Sequence, residues 1–398
     1  MQIKSPNLFV EINYAELIFF AGEVKENDNY DLLHTVKVPL NDAADYKIYN
    51  FDEFKKIIKD NIYSFEKKLD CVFNEVFLVL NNFNCTAINL TGFKKLNGSQ
   101  LGKDNITYIL NSLKSKISEN EENKTILHIF NSKYTLDQKE IKNLPVGLFG
   151  NFYSQELSFI LIDNNYYKNL KILFESCNLK IRKVISKHFL SGAEVINENE
   201  NLETFFKIEI NQQNIEILYF ENCALKYIES FKFGTNLVIK DITKITGLNI
   251  QAVKNILSSK TFIKQNIEND YIEKDFFDNS NFRKIKKKLI YDIANARIME
   301  IAEIIFLKNV NTRFFLKKKL NIFLEIEDLL ISKCFEEILN KSFSNKNEFN
   351  LKLLENTSID DTYKNAITIV QYGWKKEAVP IIQEKKSRIA RIFDLIFR

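Results

Sequence analysis

Phe9-Val10-Glu11-Ile12-Asn13 and, about half a chain later, Lys207-Ile208-Glu209-Ile210-Asn211 nearly repeat each other. Each run meets a polar turn and then resumes, as Leu17-Ile18-Phe19-Phe20 in the first case and Ile215-Glu216-Ile217-Leu218-Tyr219 in the second. Strand, turn and strand make a β-hairpin. A hairpin recurring at that distance predicts two related α/β lobes, each opening with a strand whose turn points into a shared cleft. The short match is common in an Ile- and Asn-rich chain, so the repeat needs support from the rest of the sequence.

The chain has 398 residues, enough for two large lobes or three to four subdomains with real cores. A hydrophobic content of 45% with only 4 Pro and 10 Gly describes a folded chain with little room for long linkers. Scarce glycine also bears on chemistry, because loops that cradle phosphate need backbone that approaches the ligand closely. Cys71, Cys85, Cys177, Cys223 and Cys334 lack C-x-x-C spacing, and His34, His128 and His188 are the 3 histidines. These patterns predict buried thiols in a reducing compartment, with neither a metal site nor a disulfide framework. The N-terminus mixes charge into its apolar runs, and no uncharged stretch reaches the ~18 residues of a spanning helix. The expected location is therefore cytoplasmic. Of the formal net charge of +4, all is supplied by residues 385–398, which leaves the body neutral and argues against nucleic acid as a partner.

Residues 8–40 read as three strands, 51–69 as a helix with Phe54, Ile58, Ile62, Phe65 and Leu69 on one side, and 75–80 as a further strand. Asn81-Asn82-Phe83-Asn84 is a turn signal, after which residues 85–162 read as a separate module of strands with one helix over 105–117. Inside it lie Leu127-His128, then Tyr134-Thr135-Leu136-Asp137, then Asn143-Leu144-Pro145-Val146-Gly147-Leu148-Phe149-Gly150. Asp137, Asn143, Pro145 and the two glycines are residues that shape a loop and need do no chemistry.

This stretch resembles the inserted subdomain of the bacterial cell-division proteins of the FtsA family, with Leu144 as an extra residue before Pro145. The resemblance extends along the chain: His188 to Ala193 matches the helix crossing between lobes, Phe233-Gly234 to Ile242 a glycine-containing strand end and helix, Ala296 to Ile304 the helix re-entering the second lobe, and Tyr363 to Gly373 the helix returning to the first. It implies an α/β, actin-like fold of duplicated ribonuclease H-like lobes, with an inserted small α+β subdomain and a C-terminal amphipathic helix. The expected organisation is a lobe 1 core over 1–82, completed by 163–202 and 361–373, and an inserted subdomain over 83–162. A lobe 2 core follows over 203–246 and 290–360, with a small subdomain at 247–289, a linker at 374–384 and the helix at 385–398.

The two hairpins then fall where actin-like ATPases place their phosphate loops. Those turns are rich in Asp and Gly because amides must touch phosphate and carboxylates must hold water around Mg²⁺. Here Glu11 stands for Asp, Asn13 for Gly and Glu16 for a basic residue, while Glu209 stands for Asp and Asn211-Gln212-Gln213 for a Gly run. After the strand at 322–324, Glu325-Ile326-Glu327-Asp328 takes the place of a third glycine-rich turn. The candidate cofactor site is thus a degenerate nucleotide cleft of Glu11, Asn13, Glu209, Asn211, Gln212, Gly234 and Glu327. No cofactor and no enzymatic activity are expected of it, with ATP and Mg²⁺ the ligands to look for should the cleft still bind.

Two surfaces stand out. Arg283, Lys284, Lys286, Lys287 and Lys288 form a basic run read as the start of a long helix, and the resemblance implies a subdomain here that receives the acidic tail of the tubulin-like protein FtsZ. At the C-terminus Ile389, Ile392, Phe393, Ile396 and Phe397 recur at helical spacing opposite Arg388 and Arg391, the pattern of a helix lying in an anionic membrane surface. The whole reads as an adaptor at the cytoplasmic face of the inner membrane, at the division site, which holds the FtsZ ring, self-associates and meets other division proteins. An active actin-like ATPase and a related pilus-assembly membrane adaptor are the alternatives. The absent Gly-rich turns argue against the first and residues 126–150 against the second.

Overall fold

The computed structural model describes residues 6–13, 16–24, 30–40, 51–81, 85–258, 270–277, 283–315, 320–344, 349–355 and 358–377. The C-terminal residues Arg388, Ile389, Arg391, Ile392, Phe393, Ile396 and Phe397 lie outside the described residues.

Lobe 1 opens with an antiparallel meander, β1 (Asn7–Ile12), β2 (Glu16–Val24) and β3 (Tyr30–Pro39), followed by α1 (Phe51–Leu69) and β4 (Glu75–Leu80). The chain then builds the inserted module from β5 (Thr86–Lys95), α2 (Lys103–Asn120), β6 (Lys124–Leu136), β7 (Lys139–Ile141) and β8 (Phe152–Asp163), and returns through α3 (Asn164–Glu175) to β9 (Lys180–Ser186). Helix α4 (Lys187–Glu198) crosses to lobe 2, which repeats the meander as β10 (Phe205–Ile210), β11 (Ile215–Glu221) and β12 (Ala224–Phe231). Helices α5 (Asn236–Thr246), α6 (Ile250–Ser258), α7 (Lys287–Ala302) and the short α8 (Val310–Arg313) precede β13 (Leu320–Ile326), α9 (Leu329–Ser344), β14 (Phe349–Leu353) and the returning α10 (Ile359–Tyr372).

The sheet orders are β3-β2-β1-β4-β9 and β12-β11-β10-β13-β14, so each lobe carries an antiparallel meander extended by two parallel strands. Registers agree in detail: β1 and β2 close with Ile12 opposite Leu17, and β10 and β11 with Ile210 opposite Ile215, leaving a four-residue turn each time. Each meander even holds one parallel-stacked Phe pair, Phe9 on Phe20 at 5.2 Å and Phe205 on Phe220 at 5.0 Å. The fold is the expected actin-like duplication, and the repeat at Phe9 and Lys207 is its trace.

Central strands covered on both faces are apolar throughout rather than alternating. In β1, Leu8, Val10 and Ile12 pack into a core with Ile58, Ile62 and Phe65 of α1, while Phe9 faces the opposite core with Phe189, Phe205 and Tyr363 between the lobes. Helix α4 lies within that second core, with Phe189, Leu190, Ala193, Val195 and Ile196 all buried. Its Gly192 packs directly on the Phe220 ring of lobe 2, since a Cβ there would meet that ring at 1.9 Å.

The inserted module is a four-stranded sheet of order β5-β8-β6-β7, with Ile109, Leu113 and Ile117 of α2 buried against it. The helix runs one turn beyond the expected 105–117 on its C-terminal side. Asp137 shapes the loop as its residue type suggests, adopting φ of 49° and accepting the amides of Asn151 and Phe152 at 2.8 Å each. Residues 374–377, expected as the start of a linker, instead dock: the Asn131 amide donates to the Lys376 carbonyl at 2.7 Å and Phe130 bridges Glu377.

Gly192→Ala tests the crossing helix. In an ordinary helix interior this change stabilises by about 0.5–1 kcal/mol, but here overpacking against Phe220 reverses the sign, and urea unfolding should report a loss of about 1–3 kcal/mol.

Candidate functional site: the interlobe cleft

The end of β13 lies beside the second hairpin turn, since β10 pairs in parallel with β13 up to Ile210 and Ile326, and the first turn has the matching place at the end of β1, where Ile12 pairs with Leu80 of β4. The first turn is closed on itself. Asn13 donates its amide to the Glu16 carbonyl at 3.2 Å, and its side-chain oxygen accepts the Glu16 amide at 2.7 Å. Glu11 is buried, accepts from Asn81 at 2.9 Å and pairs with Lys187 Nζ at 3.3 Å, and the same ammonium donates to Thr362 of α10 at 2.6 Å.

The second turn is engaged more fully. The Asn211 amide donates to the Asn214 carbonyl at 2.9 Å, and the Gln212 amide points to Glu327 Oε2 at 3.4 Å. The carbonyls of Asn211 and Gln212 accept the amides of Thr235 and Asn236 at 3.0 and 3.1 Å, so the entrance of α5 is spent on this turn. Gly234 is what permits the approach, because a Cβ there would stand 2.1 Å from the Asn211 oxygen. Its role is to seat one loop on another. Glu327 donates its amide to the Ile210 carbonyl at 3.0 Å. The turn after β13 is shorter than the sequence suggests, since Glu325 and Ile326 are still in the strand.

Behind these turns lies a charge network that sequence reading missed. Lys207 is 1% exposed and sits between Glu209 at 2.9 Å and Glu325 at 2.6 Å. Glu209 is the cross-strand neighbour of Glu216, and Glu216 Oε2 lies 2.6 Å from His188 Nε2 with both side chains buried. Burial alone would lower the basicity of Lys207 and His188, but the carboxylates prevail and raise both. Burial correspondingly works against the charged carboxylates, yet Lys207 holds Glu209, and His188 holds Glu216, below the ordinary 4.5. Lys254 and Asp328 pair at 3.4 Å at the mouth of the same turn. The one signal that could have found the network was Lys207 itself, a lone cation two residues before Glu209 in a strand whose other residues are all apolar.

The basic run is not the start of a helix. Residues 283–286 are extended, with Ile272 donating to Ile285 at 2.9 Å and Lys287 to Asp270 at 2.8 Å, and α7 begins only at Lys287. Lys287 therefore turns inward to Glu273 at 3.4 Å and is buried, which removes it from the exposed set Arg283, Lys284, Lys286 and Lys288. Arg283 lies over Gly247, the left-handed C-cap of α5, where a cation suits the carbonyl end of the helix.

Two lobes of matching sheet order, with α4 and α10 packed together in the core between them, define an actin-like fold. Over nearly its whole length the chain is similar to the cell division protein FtsA of Buchnera aphidicola subsp. Acyrthosiphon pisum (strain APS), 24% identical across 98% of this chain and 95% of that protein. It is also 21% identical to FtsA of Neisseria meningitidis serogroup B (strain ATCC BAA-335 / MC58), across 73% of this chain and 70% of that one. A solved PilM-PilN type IV pilus biogenesis complex aligns with a TM-score of 0.54 at 10% identity, covering 94% of this chain and 99% of that one, a likeness of fold. No family model matches the chain.

The pH dependence of stability follows from the network. Glu209 and Glu216 have lowered folded values, so their contribution is present above about pH 4.5 and is lost as pH falls through the folded values. His188 has a raised one, so its contribution is full below the ordinary 6.5 and is lost as pH rises toward the folded value. Urea unfolding should therefore show greatest stability between about pH 5 and 6 for these groups. His188→Gln should abolish the decline above pH 6.5 and cost about 3–5 kcal/mol at pH 6, because it strands Glu216.

Proposed function

We propose that this chain is a cell-division adaptor which tethers the FtsZ ring to the cytoplasmic face of the inner membrane, self-associates, and has lost ATP hydrolysis. The cleft carries this reading. In a chain resembling FtsA from end to end, the Asn13, Asn211 and Gln212 amides of the turns that would bind phosphate donate to protein oxygens, and Lys207 and Lys187 are engaged by Glu209, Glu325 and Glu11. The residues present do not fit Mg-ATP: a polyphosphate would meet the Glu327 carboxylate at the second turn and would have to displace it to reach the Gln212 amide. Closure of the lobes then depends on internal ion pairs rather than on a ligand.

Partner surfaces support the adaptor role. Arg283, Lys284, Lys286 and Lys288 are exposed beside Tyr271 and Leu289, a basic and apolar strip that suits an acidic peptide such as the FtsZ tail. The inserted module exposes Phe93 at 62% and Phe149 at 71%, with Phe93 stacked on Phe152 at 5.6 Å, an apolar face fit for self-association. Among the described residues no helix is long and apolar enough to cross a membrane. The proposed attachment rests on the helical spacing of Ile389, Ile392, Phe393, Ile396 and Phe397 in the sequence. As a helix, residues 385–398 would be about 21 Å long and would lie in the interface.

Calorimetric titration with Mg-ATP should give no binding heat, and a steady-state assay no turnover. ATP turnover abolished by Glu209→Ala would overturn the proposed loss of hydrolysis. On anionic vesicles, Phe393→Asp should release the protein into the supernatant while leaving its thermal unfolding unchanged. Lowered stability with co-sedimentation intact would instead assign the tail to the core.

A further inference from the structure

Residues 373–377 leave α10 through Gly373, whose φ of 74° turns the chain, and then touch every large part of the molecule within four positions. Trp374 Nε1 donates to the Cys223 carbonyl of lobe 2 at 2.9 Å, and its ring packs edge-on against Phe189 of α4 at 5.4 Å. Lys376 accepts the Asn131 amide of the inserted module and places its ammonium 5.6 Å from the Tyr134 ring. Glu377 pairs with Lys183 of lobe 1 at 3.0 Å and with His128 Nδ1 at 3.3 Å.

His128 ties these contacts together. The Ser186 amide donates to its Nε2 at 3.1 Å, which makes Nδ1 the protonated nitrogen of the neutral ring and directs that proton to Glu377. Burial favours the neutral imidazole. Removing Glu377 would leave a buried donor unsatisfied at the seam between the inserted module and lobe 1. The contacts therefore depend on one another across three bodies, and the segment is the chain's last described stretch before residues 378–398.

We propose that residues 374–377 are a strap which locks lobe 1, lobe 2 and the inserted module into one arrangement, and whose release loosens all three together. Any load on the C-terminal segment would act first on this strap, so the position of the tail and the arrangement of the body are coupled. The inference stands whether or not the tail binds membrane.

Trp374 is the chain's one tryptophan, so the full-length protein reports on its own strap. In the wild type, acrylamide should quench Trp374 well below free tryptophan amide. Glu377→Ala should raise quenching and speed amide hydrogen exchange about tenfold at Asn131 and Ser186 and also in the Cys223 to Leu225 segment of lobe 2. Should that variant not fold, Glu377→Gln keeps an acceptor for His128, loses only the ion pair with Lys183, and should give the same pattern at reduced size. Free quenching in the wild type overturns the proposal. So does a variant in which Trp374 becomes quenchable while exchange in lobe 2 stays unchanged.

Discussion

Two carboxylates face each other across neighbouring strands, Glu209 on β10, partly buried, and Glu216 on β11, fully buried. Like charges directly opposite destabilise a sheet, so the fold can keep this pair only by burying cations beside it. Lys207 comes from the same strand as Glu209, and His188 comes from the helix that crosses between the lobes. Satisfying Glu216 thus fixes where the first turn of α4 sits relative to lobe 2. The remaining oxygen of Glu216 lies at hydrogen-bonding distance from Asn214 and Ser230, at 3.5 and 3.4 Å, which completes the demand.

Such a network is not a source of large net stability, since the desolvation of buried ions offsets most of their attraction. Its physical effect is on geometry. An apolar filling would let the lobes slide, whereas a missing partner in this arrangement leaves an uncompensated charge. A ligand-gated actin-like cleft closes around a charged nucleotide. Here Glu209, Glu216 and Glu325 place charge in the strands themselves, and the Glu327 carboxylate faces the Gln212 amide of the second turn.

How legible this was in the sequence differs by element. The duplication was readable from the hairpins, because continuous apolar strands followed by polar turns leave the same mark wherever they occur. Helix α1 was readable from its period, and the change of character at Asn81 to Asn84 marked where a new run of strands begins with β5. The basic run at 283–288 misled, because charge hides periodicity: residues 283–286 pair as extended chain with 270–272, a non-local contact that helical propensity does not register. The ion pairs of the cleft were invisible for a related reason. Lys207, Glu216, Glu325 and His188 come from four separate elements, and only the folded registers bring them together. Gly234 was identified as a site residue, but its purpose, a close approach of two backbones, needs the distance to Asn211.

Four consecutive residues, the last of β9 and the first three of α4, show how little of the chain holds the arrangement. The Ser186 amide binds His128 of the inserted module, Lys187 binds Glu11 of lobe 1, His188 binds Glu216 of lobe 2, and Phe189 packs against Trp374 of the strap. Adjacent residues on a helix point in directions about 100° apart, so a helix entering the junction of several bodies can address each with a different side chain. A shift of α4 by a fraction of a turn would break all four contacts at once. The cleft charges and the strap are therefore not independent devices at opposite ends of the molecule. Both terminate on the same helical turn, and a change felt at Trp374 has a path of two residues to the ion pair at His188.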